Sequence, residues 1–145
     1  MPDQVHIDTP LDAPIEKCWQ AWTDPDTVIH WFGSDPQGKG RSASIDLQIG
    51  GAYEISFQDS SGLSHTCFGN YIEIQPLHYL QFTWTWKNEP DTQSLVTIQL
   101  QSSSATTTIM HFQHANLGNT SAHQYHQGWT STFEKLSRLL QQNLH

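Results

Sequence analysis

The sequence predicts an α+β fold: a curved antiparallel sheet of about seven strands wrapped around a long C-terminal helix, with two short helices closing one end. Three observations predict it. Between about residues 44 and 114, apolar residues recur with period two in runs separated by short turn signals, the pattern of consecutive antiparallel strands. From Ser121 onward the period lengthens to that of an amphipathic helix. That helix carries Gly128 just before Trp129. An interior glycine costs ~1 kcal/mol against alanine, so close approach to another surface, with Trp129 filling the space beside it, should offset the cost.

Each element has its own signal. Residues 5–9 alternate weakly and read as an edge strand. Pro14 suits a first helical position, and Ile15, Cys18, Trp19 and Trp22 then recur at helical spacing. Asp24-Pro25 restarts the chain as N-cap and first helical residue. The second short helix carries Val28, Trp31 and Phe32 on one side and stops at Gly33. Residues 33–42 are rich in Gly, Ser, Pro and Asp and read as loop. Ile45, Leu47 and Ile49 share a strand face, Gly50-Gly51 turns, and Tyr53, Ile55 and Phe57 share the next. A turn at 59–62 leads to a strand over 64–74, with Phe68, Asn70, Ile72 and Ile74 on one face. Leu80, Phe82, Trp84 and Trp86 give the cleanest alternation in the chain; Val96, Ile98 and Leu100 follow, then a Thr-rich run over 106–114. Ser121 caps the last helix, with Gln124 completing a capping box. Tyr125, Trp129, Phe133, Leu136 and Leu140 form its apolar stripe.

The 145 residues suit one domain, 1–145, with a real core. Six Lys plus Arg against fourteen Asp plus Glu give a net charge of −8. That argues against nucleic acid and anionic membrane surfaces, both of which select basic patches. Six Trp, six Phe and four Tyr supply the buried area that a modest aliphatic content does not. The N-terminal stretch has neither the basic segment nor the apolar run of a secretory signal, and no run reaches the ~20 apolar residues of a spanning helix. Two cysteines make no disulfide framework, so a reducing cytoplasm is expected.

An ordered set of segments now becomes familiar: APIEKCWQAWTDP at 13–25, Trp31-Phe32-Gly33, IGGAY at 49–53, GNYIEIQP at 69–76, FTWTW at 82–86 and HQGW at 126–129. Their order and spacing resemble the single-domain proteins related to the C-terminal domain of the activator of the 90-kilodalton heat-shock chaperone ATPase. That family belongs to the helix-grip superfamily of START lipid-transfer domains, pollen-allergen-like proteins and polyketide cyclases. The resemblance covers nearly the whole chain and implies a helix-grip (START-like) fold. The cochaperone's additional N-terminal domain has no counterpart here, so chaperone activation is not implied. The shared segments are turn glycines, a helix-start proline and packing tryptophans, which specify a fold rather than a chemistry.

The candidate site is the space between sheet and last helix. Trp31, Phe32, Tyr53, Phe57, Phe68, Trp84, Trp86, Phe112, Tyr125 and Trp129 are expected to point into it, either lining an apolar pocket or simply filling it. Asn70 and His114, expected on the same face, would satisfy a buried tryptophan N–H. The expected ligand-binding set is therefore Trp31, Tyr53, Phe57, Phe68, Asn70, Trp84, Trp86, Phe112, His114, Tyr125 and Trp129, with no cofactor, metal or catalytic residue. His123 and His126 are neighbours on the helix, but His111 and His114 point to opposite sheet faces, and zinc needs three or four convergent ligands. His114 or His126 would be a lone pocket group titrating near neutral pH. Glu54 and Glu73 fall out of phase with the inward positions. Cys18 sits on an apolar stripe, no Gly-x-Ser-x-Gly elbow occurs, and Gly38-Lys39-Gly40 lacks the strand and third glycine of a nucleotide loop.

The leading expectation is non-enzymatic binding of a small hydrophobic molecule. A cochaperone-like module for a protein client and a polyketide cyclase-like enzyme in the same pocket are the alternatives. A homodimer stays open.

Overall fold

The computed structural model describes residues 4–33, 37–87, 89–116 and 122–142; of 89–92, 122–126 and 142 it describes the backbone alone. Strand β1 (Val5–Leu11) leads into helices α1 (Ile15–Thr23) and α2 (Pro25–Val28). Six strands follow: β2 (Lys39–Ile45), β3 (Ala52–Gln58), β4 (Ser64–Gln75), β5 (Tyr79–Trp86), β6 (Glu89–Ser102) and β7 (Thr108–Ala115). Helix α3 (Ala122–Gln142) closes the order. The strands form one antiparallel sheet in the order β1-β7-β6-β5-β4-β3-β2. Each hairpin from β2 to β7 pairs with its neighbour in sequence, and β1 adds beside β7, so α1 and α2 carry the chain from one sheet edge to the other.

Helix α1 forms where the spacing predicts, burying Ile15, Cys18, Ala21 and Trp22. Pro14 stands one residue earlier than expected, as the N-cap; its carbonyl accepts from Lys17 N at 3.0 Å and Cys18 N at 3.2 Å. Asp24 caps α2 as expected, its carboxylate accepting from Asp26 N at 3.2 Å and Thr27 Oγ1 at 2.8 Å. Helix α2 ends at Val28, so Trp31 and Phe32 follow it in turns rather than on a helical face.

Two strand expectations need correction. Residues 39–42, read as loop, open β2, while Leu47 and Ile49 are 40% and 69% exposed and lie beyond it. The segment KGRSASI has almost no apolar alternation. Backbone pairing with β3 makes it a strand, and Gly40 lets it press on the end of the helical segment, where a Cβ would stand 2.0 Å from Ile29 O. On β4 the inward residues are Cys67, Gly69 and Tyr71. Phe68 and Ile72 are 37% and 46% exposed, and Asn70 is exposed beside them. A register shift between Tyr71 and Glu73 inserts an extra residue and returns Ile74 to the core side. The expected face Phe68, Asn70, Ile72 and Ile74 therefore mixes two sides of the sheet.

Gly69 explains why the inward phase runs through a glycine. A Cβ there would lie 2.0 Å from Thr83 O on β5. Tyr53 pairs with Gly69 from β3, and its hydroxyl donates to Thr83 O at 2.6 Å, so its side chain spans β4 above the missing side chain.

The core lies between sheet and helices. Helix α3 buries Trp129, Phe133, Leu136 and Leu140, the four described members of the expected stripe. Trp22 of α1 packs against Phe82, Phe112, Trp129 and Phe133, which joins both helices and the sheet in one aromatic cluster.

Candidate functional site

Trp84 is the hub where the elements meet. Its ring centroid lies 5.7 Å from Phe32, 5.3 Å from Trp86, 5.4 Å from His114 and 5.3 Å from Trp129. Alternation along β5 turns Trp84 and Trp86 inward, β7 delivers Phe112 and His114, and α3 lays Trp129 across them.

A directed hydrogen-bond chain runs through this cluster. The Trp129 indole N–H donates to His114 Nδ1 at 3.0 Å. Indole is a donor only, so His114 Nδ1 carries no proton. Burial pushes the His114 pKa down to about 3, so the neutral ring holds its proton on Nε2. That nitrogen lies 2.7 Å from Ser94 Oγ and donates to it. Ser94 in turn donates to Trp84 O at 3.2 Å. His114 thus accepts from the Trp129 N–H, and burial moves its pKa below the neutral range expected for a pocket histidine. Both ring nitrogens are engaged, which leaves no lone pair to take a proton from a substrate.

Trp84 breaks the pattern. Its Nε1 is the one fully buried side-chain nitrogen or oxygen without a hydrogen-bond partner among the described residues. Other buried indoles are provided for: Trp31 Nε1 donates to Ala21 O at 2.9 Å, and Trp22 Nε1 faces Met110 Sδ at 3.3 Å. A buried donor left unmade costs ~1–3 kcal/mol, and it sits here in the middle of the aromatic set.

Phe32 connects the hub to the outside. It contacts Trp84 on one side and Phe57 at 5.8 Å on the other. Phe32 and Phe57 line a cavity of about 260 Å³ with Gly33, Gly38, Lys39, Gln58, Asp59, His65 and Lys135. A second concavity of about 280 Å³ adjoins it, sharing Phe32, Gly38, Lys39 and Lys135 and adding Ile29, His30 and Gly40. Gly33 takes φ +108°, and a Cβ there would approach Phe57 Cδ2 to 2.9 Å, so the cavity wall is built on a glycine. His65 stacks on Phe57 with centroids 5.6 Å apart, and its Nε2 meets Asp59 Oδ2 at 2.9 Å.

Of the sequence-predicted residues, Trp84, Phe112, His114 and Trp129 come together at the hub, with Phe57 and Trp86 at its open side. Trp31 stands behind them against Trp22 and Phe32. Tyr53 belongs to a neighbouring group with Tyr71 and Phe82. Phe68 and Asn70 are on the outer sheet face, away from the site. The Tyr125 side chain, like those of His123 and His126, lies outside the described residues. Ser94, Lys39, His65 and Lys135 went unsuggested by the sequence. They are ordinary polar residues in isolation, and pairing register with the approach of α3 is what assembles them.

Nucleophiles are poorly placed. Burial raises the pKa of both Cys18 and Cys67, which disfavours the reactive thiolate. Among the described residues no group of three or more His, Cys, Asp or Glu could hold a metal ion, and no helix is long and apolar enough to cross a membrane.

Comparison with known proteins follows the same lines. A family model described as Activator of Hsp90 ATPase homolog 1-like protein matches residues 12–141. No curated protein matches the sequence. A crystal structure of a protein from Chromobacterium violaceum is 22% identical over 96% of this chain and 98% of its own, with a TM-score of 0.84. A crystal structure from Nitrosomonas europaea is 24% identical over 97% and 95%, with a TM-score of 0.81. DynU16, a protein of the dynemicin biosynthetic locus, is 22% identical over 97% of this chain but 48% of its own, with a TM-score of 0.79.

Proposed function

Because this chain belongs to the Activator of Hsp90 ATPase homolog 1-like family, with its helix-grip, START-like fold, we propose that it binds a small, mostly apolar molecule between β5, β7 and α3. The ligand would enter past Phe32 and Phe57 and present a hydrogen-bond acceptor to Trp84. The observation that carries this reading is the buried, unpartnered Trp84 N–H. Pockets of this type combine apolar walls with a few polar groups that orient the ligand; the neighbours of Trp84 are mainly aromatic, and its N–H is a donor without a partner among the described residues. Binding without catalysis fits a His114 whose two nitrogens are already committed.

The test is a titration with 1-naphthol followed by intrinsic tryptophan fluorescence, on the parent chain and on Trp84→Phe. The substitution keeps an aromatic ring and deletes the donor. The expected result is saturable binding that weakens about tenfold in the variant, the worth of one buried hydrogen bond. Equal affinity in both proteins would remove Trp84 from the site, and no saturable binding would reject the pocket.

A specific observation also favours a second reading, a surface for a protein client. Phe68 and Ile72 are exposed on the outer face of β4. Ile49 stands on the turn whose Gly50 N donates to Tyr71 O at 2.8 Å. Exposed apolar residues gathered on one face mark interaction sites when the patch is large. Cross-linking through a cysteine placed at Ile72 in a cell extract, compared with one at Glu16, would test it.

A further inference from the structure

His65 differs from His114 in what it leaves open. It lines the cavity of about 260 Å³ at the mouth of the proposed pocket, together with Phe32, Phe57 and Asp59. Its Nε2 meets Asp59 Oδ2 at 2.9 Å. The other carboxylate oxygen, Oδ1, accepts from Ser61 N and Leu63 N at 3.0 Å each and from the Ser61 hydroxyl. These bonds hold the Asp59 carboxyl well below the usual carboxylate range, and a carboxylate only accepts. His65 Nε2 therefore carries a proton and donates it, and the neutral ring keeps a lone pair on Nδ1. Among the described residues nothing hydrogen-bonds to that nitrogen.

The ring is also held in place. It stacks on Phe57 with centroids 5.6 Å apart and meets Trp86 edge-on at 6.3 Å. Strand pairing sets this up: His65 on β4 stands opposite Phe57 on β3, and the turn between them, with Gly62 at φ +93°, brings Asp59 beside the ring. The side chain stays 33% exposed, so a ligand can reach it. Trp86 also touches Trp84, with centroids 5.3 Å apart. One aromatic residue thus separates an oriented acceptor at the mouth from the buried Trp84 donor.

We infer that the outer cavity is a subsite for a hydrogen-bond donor and that the ligand is a phenol: an aromatic body whose hydroxyl donates to His65 Nδ1, with an acceptor at its far end for Trp84. This rests on the pocket reading above and deepens it. Lys39 and Lys135 at the same cavity are donors, and a donor serves a hydroxyl oxygen and its methyl ether alike. A lone pair tells them apart. The O–H makes a bond to Nδ1, whereas an ether oxygen sets its own lone pairs against it.

The experiment is isothermal titration calorimetry of the full chain with 4-(4-hydroxyphenyl)butan-2-one and with its methyl ether, in mildly alkaline buffer, where imidazole is neutral and a phenol un-ionised. The phenol is expected to bind about tenfold tighter, the scale of one buried hydrogen bond. In Asp59→Asn that preference is expected to vanish. The Asn carbonyl oxygen takes the place of Oδ1, its amide turns to His65 Nε2, and the ring proton moves to Nδ1, which then donates to either oxygen. His65→Phe is expected to lose the preference as well. Equal binding of phenol and ether to the parent chain overturns the inference and leaves the pocket standing. If neither binds, the pocket reading falls and the inference with it. A preference that persists in either folded variant overturns the assignment to His65. Should the variants not fold, nitrogen NMR of the parent chain decides. The His65 Nδ1 resonance is expected to move with the phenol and to stay with the ether, and no movement with the phenol overturns the assignment.

Discussion

The Trp129 indole N–H donates to His114 Nδ1 across 3.0 Å, and this contact ties α3 to the sheet. It fixes the His114 tautomer, and through Ser94 it reaches the backbone of β5. The helix is therefore joined to the sheet by a polar contact inside an aromatic core.

Removing this contact should be costly. His114→Ala leaves a buried donor on Trp129 without its acceptor, takes from Ser94 Oγ the proton donated by Nε2, and opens a cavity. A loss of about 3 kcal/mol or more is expected. His114→Asn should cost less, because its amide oxygen can take the place of Nδ1. Urea denaturation of the three proteins gives the comparison, and equal midpoints for both variants would refute the role of the acceptor.

Stability should depend on pH through the same residue. An unfolded histidine binds a proton below its ordinary value of 6.5, whereas folded His114 stays neutral down to about 3. Between those values the unfolded state holds the extra proton, so His114 makes folding less favourable as pH falls across that window and has its full neutral-form stability above 6.5. Nitrogen NMR should show the His114 ring neutral, protonated on Nε2 and unchanged between pH 5 and 8. A titration of His114 within that range would contradict its burial.

Asp59 should behave in the opposite sense. The Ser61 and His65 side chains and the Leu63 and Ser61 amides hold its carboxyl well below the usual carboxylate range. Its contribution to the β3–β4 turn is present above the ordinary carboxylate value of 3.8 and is lost as pH falls through the lowered one. A carbon-detected NMR titration of its carboxyl group measures this directly, and a midpoint near 3.8 would mean that the turn contacts do not hold in solution.

Two glycines should respond differently to alanine. Gly69→Ala drives a methyl group into Thr83 O and displaces the Tyr53 hydroxyl from the same oxygen; overpacking of this kind costs about 1–3 kcal/mol or more. Gly50 has φ +84° with nothing within 4 Å of its Cβ position, so alanine there meets only the left-handed backbone penalty of ~1–2 kcal/mol. Thermal melting of both variants should rank Gly69→Ala as the more damaging. The reverse order would indicate that β4 and β5 can part at little cost.

Much of the fold was legible because its signals are local. Residues 80–86 alternate without interruption, and the stripe from Trp129 to Leu140 has helical spacing, so burial of each face follows from period alone. Strand β4 was not legible in this way. Phe68 and Ile72 look like core residues, and a period-two pattern through them is regular. The inward phase instead passes through Gly69, a residue with no hydrophobic signal, and a bulge then shifts it by one. Strand β2 has no apolar signal, since an edge strand half open to solvent can form from backbone pairing alone.

The site divides in the same manner. Residue types and their spacing determined that a sheet rich in aromatics faces an aromatic-bearing helix, and that His114 stands where a tryptophan N–H needs an acceptor. Tertiary structure decided which indole is satisfied and which is not, because that depends on distances of a few tenths of an ångström between β5, β7 and α3. It also decided that Lys39 and Lys135, 96 positions apart in the chain, share one mouth. Hydrophobic periodicity is written along a single segment, whereas a hydrogen bond or a charge pair belongs to two segments and exists only once they have packed.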